Sequence, residues 1–249
     1  MELSVLLWVM LAQALGFFVQ GMVGFGAGLI VTPLLVLAGM ELPHAIAAML
    51  GGVVVATGMG CWRRRGDVAW RVVGMMSVYR LIGLPVGVWL LSALMTQEPS
   101  LIKQAVGLVL AVAVLAMWMF RVRPVPRLGH GWMVAAGLGS GVLGGLVGMS
   151  GPLVVMWVMA HDWAAVRSRA TLWALFLVFS PPLVVMLGWT FGWDVLWSFG
   201  LGLALFPAAM VAEYAGDHLG RGFSSVGLRR AAYGLLLVIA LVAIVEPWV

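Results

Sequence analysis

The sequence predicts an all-α polytopic membrane protein with an inverted-topology repeat. Its 249 residues are 63% hydrophobic and only 9% charged, whereas soluble chains contain about 25% charged residues. Apolar segments long enough to cross a bilayer fill most of the chain. A glycine-rich interruption occurs in the first of these segments and again half a chain later. These observations leave no room for a separate soluble domain.

The first apolar segment, Leu3–Met40, is too long to be one straight span. It covers roughly 38 residues, or ~57 Å as a helix, against a hydrocarbon thickness of ~30 Å. We therefore predict a hairpin with arms Leu3–Gln20 and Leu29–Met40. Glycine tolerates unusual backbone angles, so the break is expected at its four closely spaced glycines, Gly21, Gly24, Gly26 and Gly28.

A second broken segment, Trp132–Ala160, contains the related sequence Gly145-Leu-Val-Gly-Met-Ser-Gly-Pro152. Aligning the two copies places Gly21 and Gly24 opposite Gly145 and Gly148, and Gly26 opposite Ser150. Interrupted apolar segments at matching positions of two halves indicate the substrate site of a transporter. We expect a first membrane repeat at 1–120, a cytoplasmic connector at 121–130 and a second repeat at 131–249.

Three further spans complete each half. They are predicted at Ala45–Trp62, Val72–Met95 and Lys103–Phe120, and then at Thr171–Trp189, Val195–Ala215 and Arg229–Val245. A hairpin plus three crossings is an odd number of crossings, so the halves have opposite orientations. The positive-inside rule places the arginine-rich loops in the cytoplasm and both termini outside a cell (inner) membrane. These loops contain Arg63–Arg71, the connector, Arg167, Arg169, Arg221, Arg229 and Arg230.

Helices that begin after Gly28 and at Pro152 would direct their N-terminal ends into the membrane interior. Such ends carry free N–H groups and partial positive charge, which suit an anion. The alternative is that the glycines only allow close helix packing. The residues expected to bind substrate are Gly24, Gly26, Ala27, Gly28, Thr32, Arg80, Gly148, Ser150, Gly151 and Pro152.

Arg80 is an intramembrane cation about nine residues beyond Arg71, or ~13 Å along a helix. Charged side chains at such depth are costly and by default functional. A guanidinium offers a planar fork of donors to an oxyanion. The alternative is that Arg80 snorkels to the cytoplasmic face. Glu213 lies nearer the end of its span, where a solvated or arginine-paired carboxylate is expected.

Several segments together resemble the sulfite exporter TauE/SafE family of membrane transporters. They are Gly24-Phe-Gly-Ala-Gly with Pro33, Arg63-Arg-Arg-Gly-Asp-Val, Gly83-Leu-Pro-Val-Gly87, Arg169-Ala-Thr-Leu172 and Leu205-Phe-Pro-Ala. The resemblance covers nearly the whole chain. It implies transport of sulfite, sulfoacetate or related organosulfonates, often outward. The chain departs from the family's glycine runs at Ala27, Ser150 and Pro152.

Two other functions compete with transport. Gly148-Met-Ser-Gly151 is similar to the nucleophile motif of rhomboid intramembrane serine proteases, but such a serine needs a histidine base. No predicted span carries one. A non-transporting membrane assembly protein is the second alternative. We expect no enzyme activity, cofactor, metal or nucleic acid. The expected partners are a small anion and the lipid bilayer, with a homodimer as a candidate assembly.

The predicted topology is testable by cysteine labelling after Cys61 is replaced. Arg65→Cys and His218→Cys should react only with a reagent added to the cytoplasmic side, because both lie near arginine-rich loops. Gln97→Cys should react only from outside. Labelling of positions 65 and 218 from opposite faces would contradict the inverted repeat.

Overall fold

The computed structural model describes residues 3–119, 129–220 and 225–246. These ranges contain helices and no strands, which confirms the all-α prediction. The connector at 121–128 and Arg221 lie outside the described residues. In chain order the helices are α1 (Leu3–Val23), α2 (Ala27–Leu37), α3 (Leu42–Arg63), α4 (Trp70–Leu94), α5 (Pro99–Met119), α6 (His130–Val147), α7 (Gly151–Met159), α8 (Ala165–Phe191), α9 (Val195–Ala204), α10 (Phe206–Gly220) and α11 (Ser225–Val245).

Six of the described helices are long and apolar enough to cross a membrane. The bent pair α9 and α10 passes the same test as a seventh span. Large apolar side chains cover the outer surface, as a lipid-facing protein requires. Six tryptophans near the ends of the predicted spans are exposed: Trp62, Trp70, Trp118, Trp132, Trp189 and Trp193. The fold is that of a multi-pass membrane protein.

Several predicted helices are longer than expected, and α1 and α8 are examples. α1 continues past Gln20 to Val23. α8 begins at Ala165 rather than Thr171, so Arg167 and Arg169 lie in its first two turns and not in a corner. Backbone hydrogen bonds continue a helix where hydropathy alone would end it.

The predicted span Val195–Ala215 is not one straight helix. It bends by 53° between α9 and α10, next to Pro207. Proline lacks an N–H donor and crowds the carbonyl of the preceding turn, which explains a break here. Pro85 stands inside α4, which stays one continuous helix. Pro85 and Pro207 therefore affect their helices differently.

Helix order and packing recur between the two parts of the chain. A long helix and a short helix begin each part (α1, α2 and α6, α7). α1 packs along α10, and α6 packs along α4. Gly21 and Gly145, which align in sequence, allow these close contacts: a methyl group on either would overlap the backbone of the facing helix. The sequence predicts Gly21 as part of the break. The structure instead places it within α1, where it allows the close helix contact.

Helices α3 and α8 pack together at the centre of the fold. α3 is the most buried of the candidate spans, and it also contacts α2 and α9. The short helices α2 and α7 are mostly buried and lie against this centre. Both short helices therefore begin inside the protein, which places their N-terminal ends far from the lipid-facing surface.

Candidate functional site

The first chain break lies between α1 and α2. Gly24 and Gly26 have φ values of 95° and 114°, a left-handed region that favours glycine over other residues. The Gly24 N–H donates to the Gln20 carbonyl oxygen at 2.6 Å, which ends α1. Helix α2 then starts at Ala27, two residues before the predicted start at Leu29. The break covers residues 24–26, which is narrower than the predicted interval from Gly21 to Gly28.

The second break lies between α6 and α7. Gly148 ends α6 and has φ 72°, in the same left-handed region as Gly24. Ser150 has φ −72°, a conformation open to any residue. This explains why a serine can stand where the first break has Gly26. Pro152 occupies the start of α7, where its missing N–H leaves no helical bond unmade.

The two breaks touch each other. A Cβ on Gly28 would lie 3.3 Å from the Gly148 carbonyl oxygen, and one on Gly148 would lie 3.3 Å from Thr32 Oγ1. Beside this contact is a cavity of about 50 Å³, room for about three to five waters at ~10–15 Å³ each. Six of the predicted site residues line it: Gly26, Ala27, Gly28, Gly148, Ser150 and Gly151.

Both short helices present their first turn to this cavity. Gly26 and Ser150 are the N-cap residues of α2 and α7, and neither supplies a side-chain cap. The first N–H groups of a helix have no partner within the helix. Together they carry partial positive charge at two sides of one small space. The arrangement can receive a small anion.

Arg80 stands directly behind the second break. It is 0% exposed and its Nη2 donates to Ser150 Oγ at 3.1 Å. Nε donates to Ser140 Oγ at 3.1 Å, and Nη1 donates to the Leu175 carbonyl oxygen. The guanidinium carbon lies 4.1 Å from the ring centre of Phe179. Within the described ranges no carboxylate pairs with this cation.

The position of Arg80 excludes snorkelling, because its side chain is fully buried. The side chain also does not line the cavity itself. Ser150 stands between, accepting from Arg80 while lining the cavity. Ser140 completes the network by donating to the Ser150 carbonyl oxygen at 2.7 Å. The Ser150 hydroxyl thus lies between the guanidinium and the cavity.

Three other predicted residues lie outside the cavity lining. Thr32 is fully buried, and its hydroxyl has no hydrogen-bond partner. Pro152 is buried within α7. Gly24 lines a separate and larger space, where a Cβ would lie 3.3 Å from the Arg169 guanidinium.

The larger space is a vestibule of about 1030 Å³. Three cations and three acids line it: Arg63, Arg64, Arg169, Asp67, Glu213 and Asp217. Arg169 pairs with Asp217 at 3.4 Å. Gln20 lines the vestibule and also the small cavity. The vestibule therefore approaches the first break from the end of the bundle that carries Arg63.

The sequence reasoning missed Gln20, Ser140, Phe179 and Ser180 as residues of the site. Gln20 had a signal, since it is one of few polar side chains in the first apolar segment. Ser140 is likewise a lone hydroxyl within the glycine-rich α6. Phe179 and Ser180 line the cavity from α8 and lack a distinguishing pattern. Their assignment depends on tertiary packing.

The environment of Ser150 does not support a protease. Its hydroxyl is bonded to a guanidinium, which stays protonated and cannot act as a general base. The histidine rings that have described partners bond elsewhere: His44 to Ser198, His130 to Tyr79 and His161 to the Trp157 carbonyl. The nucleophile, base and orienting group of a serine protease are not assembled.

Gly151→Leu should abolish transport while the protein still inserts into the membrane. The Cβ at this position would meet only Phe176 at 3.8 Å, so the added side chain would fill the cavity without backbone overlap. Gly26→Leu is a less clean test, because φ 114° strains any other residue. The measurement is anion flux in proteoliposomes.

Gly74→Leu is the matched control, because a side chain at this exposed α4 position meets nothing within 4 Å. It should transport normally. Full transport by Gly151→Leu would show that the cavity is not on the substrate path.

Comparison with known proteins gives the identity of the fold family. Residues 9–243 match the family described as "Sulfite exporter TauE/SafE". The "Probable sulfite/organosulfonate exporter TauE" of Cupriavidus necator is 27% identical over 261 residues, which cover 100% of both chains. No solved structure matches the chain. The chain belongs to the TauE/SafE family of sulfite exporters, which are membrane transporters and not enzymes.

Proposed function

We propose that the protein exports sulfite or small organosulfonates through the cavity between α2 and α7. One observation carries the proposal: two helix N-termini and the Arg80–Ser150 pair converge on the same small space. The printed name of the Cupriavidus relative gives sulfite and organosulfonates as its substrates, and the chemistry of this cavity suits that class.

The charge balance favours an anion over water or a neutral solute. Each helix N-terminus contributes about half a positive charge. Arg80 adds a full charge that no described carboxylate neutralises. A buried cation without a counter-charge is costly, and an anion in the neighbouring cavity lowers that cost. The protein and the substrate thus stabilise each other.

Ser150 connects the cation to the substrate. Its oxygen accepts from Arg80 Nη2, so its own proton is available to a ligand. A hydroxyl has one donor and two acceptor sites, and the guanidinium fixes which one faces the cavity. Sulfite and sulfonate oxygens are acceptors. The predicted direct contact between the Arg80 fork and the substrate is therefore replaced by a contact through Ser150.

The distribution of charge supports export from the cytoplasm. The vestibule brings together Arg63, Arg64 and Arg169, three cations that the positive-inside rule places inside. Lys103, expected outside, pairs with Glu246 at 2.7 Å, which agrees with an external C-terminus. In this orientation the vestibule is the cytoplasmic entrance, in a cell (inner) membrane with both termini outside.

Flux of radiolabelled sulfite and sulfoacetate into proteoliposomes tests the proposal. The purified protein should give saturable flux of at least one of the two anions, and unlabelled sulfite should compete. Liposomes without protein and liposomes with Gly151→Leu are the controls. Flux no greater than in these controls would contradict transport and favour an assembly protein.

Substitutions at Arg80 and Ser150 test whether Arg80 acts on the substrate through the Ser150 hydroxyl. Ser150→Ala should weaken apparent substrate affinity by roughly tenfold or more, since hydrogen bonds to charged groups are worth about 1.5–3 kcal/mol. Arg80→Ala should lose transport. Arg80→Lys should keep a weak remnant, because lysine retains the charge but not the three-way donor geometry.

The matched control is Arg71→Ala, an exposed arginine on the same helix, which should keep wild-type affinity. Wild-type substrate affinity in Ser150→Ala, together with wild-type transport in Arg80→Lys, would contradict these roles of Arg80 and Ser150. Membrane insertion of each variant is checked by gel filtration.

A further inference from the structure

Gln20 occupies a position that no other described residue shares. It lies near the end of α1 and is 7% exposed. It is the one residue of the described chain that lines both the vestibule and the small cavity. Gln20 therefore lies at the boundary between the two spaces.

The amide of Gln20 joins the two sides of the boundary. Its Oε1 accepts from the Ala27 N–H at 3.4 Å, at the first residue of α2. Its Nε2 donates to Glu213 Oε1 at 3.4 Å, on the vestibule side. Both distances exceed the usual range of about 2.7–3.2 Å for such bonds. The contacts hold the side chain in place and are weak enough to be exchanged.

We propose that Gln20 is the barrier between the vestibule and the substrate cavity, and that its carboxamide must leave the Ala27 N–H for an anion to enter. This inference rests on the proposed function, since it assigns the path by which the substrate reaches that cavity. The amide oxygen is a neutral acceptor at the positive end of α2. An anion oxygen competes for the same N–H and is the stronger acceptor, because the anion carries a full negative charge.

Glu213 holds the barrier closed from the vestibule side. Its Oε1 accepts the hydrogen bond from Gln20 Nε2. The nearby charged groups are Arg169 and Asp217, which pair with each other at 3.4 Å. Removal of the carboxylate leaves Gln20 with one contact in place of two. A neutral amide at position 213 still offers an oxygen acceptor, so Glu213→Gln preserves the contact.

Thiol accessibility tests this barrier without relying on transport. Ser180 lines the cavity from α8 and is 1% exposed. With Cys61 replaced, modification of Ser180→Cys therefore reports that a thiol reagent has entered the cavity. The probe is a methanethiosulfonate reagent that carries a sulfonate group. Gln20→Ala should accelerate modification by about fivefold or more, the ratio that corresponds to losing one neutral hydrogen bond of ~1 kcal/mol. Glu213→Ala should accelerate it to a smaller extent, and Glu213→Gln should not.

Gln13→Ala is the matched control. Gln13 is also a buried glutamine on α1, seven residues earlier on the same helix face, and it donates to the Ala48 carbonyl at 3.0 Å. It lines neither space, so its replacement should leave the rate unchanged.

Equal rates in Gln20→Ala and Gln13→Ala would overturn the barrier role. If Gln20→Ala does not insert, an unchanged rate in Glu213→Ala overturns it instead. The outcome is independent of sulfite flux, so absent flux with faster labelling would reject the proposed substrate and keep the barrier.

Discussion

The structure depends on the burial of one arginine. Arg80 of α4 bonds to Ser140 of α6, to the carbonyl of Leu175 in α8, and to Ser150 at the start of α7. A charged side chain with 0% exposure requires several good partners. Satisfying it fixes four helices relative to one another. The second chain break is thus held in place by the same cation that gives the cavity its charge.

The two breaks are related in sequence but held with different strength. Ser150 is fixed by Arg80 at 3.1 Å and by Ser140 at 2.7 Å. The start of α2 is held by the Gln20 amide at 3.4 Å. Shorter bonds, one of them to a charge, are stronger. In the proposed mechanism, the second break is the fixed side of the binding site and the substrate enters at the first break.

The sequence predicts the fold class and the chain breaks well, because both follow from local properties. Hydropathy identifies the spans, and only glycine readily takes the φ values found at Gly24, Gly26 and Gly148. The hydrogen-bond partners of Arg80 are Ser140, Ser150 and Leu175, which are 60, 70 and 95 positions away. Such contacts arise from packing and have no periodic signal. The proposed link from Arg80 through Ser150 to the substrate depends on such contacts, so the sequence alone does not predict it.

The most direct test is to locate a bound anion. Selenite has the shape and charge of sulfite and scatters anomalously, so a crystal structure of the protein with selenite would show its position. We expect one selenium site in the cavity, within hydrogen-bond distance of Ser150 Oγ and facing the first turn of α2. Selenium found only in the vestibule beside Arg169, with an empty cavity, would contradict it.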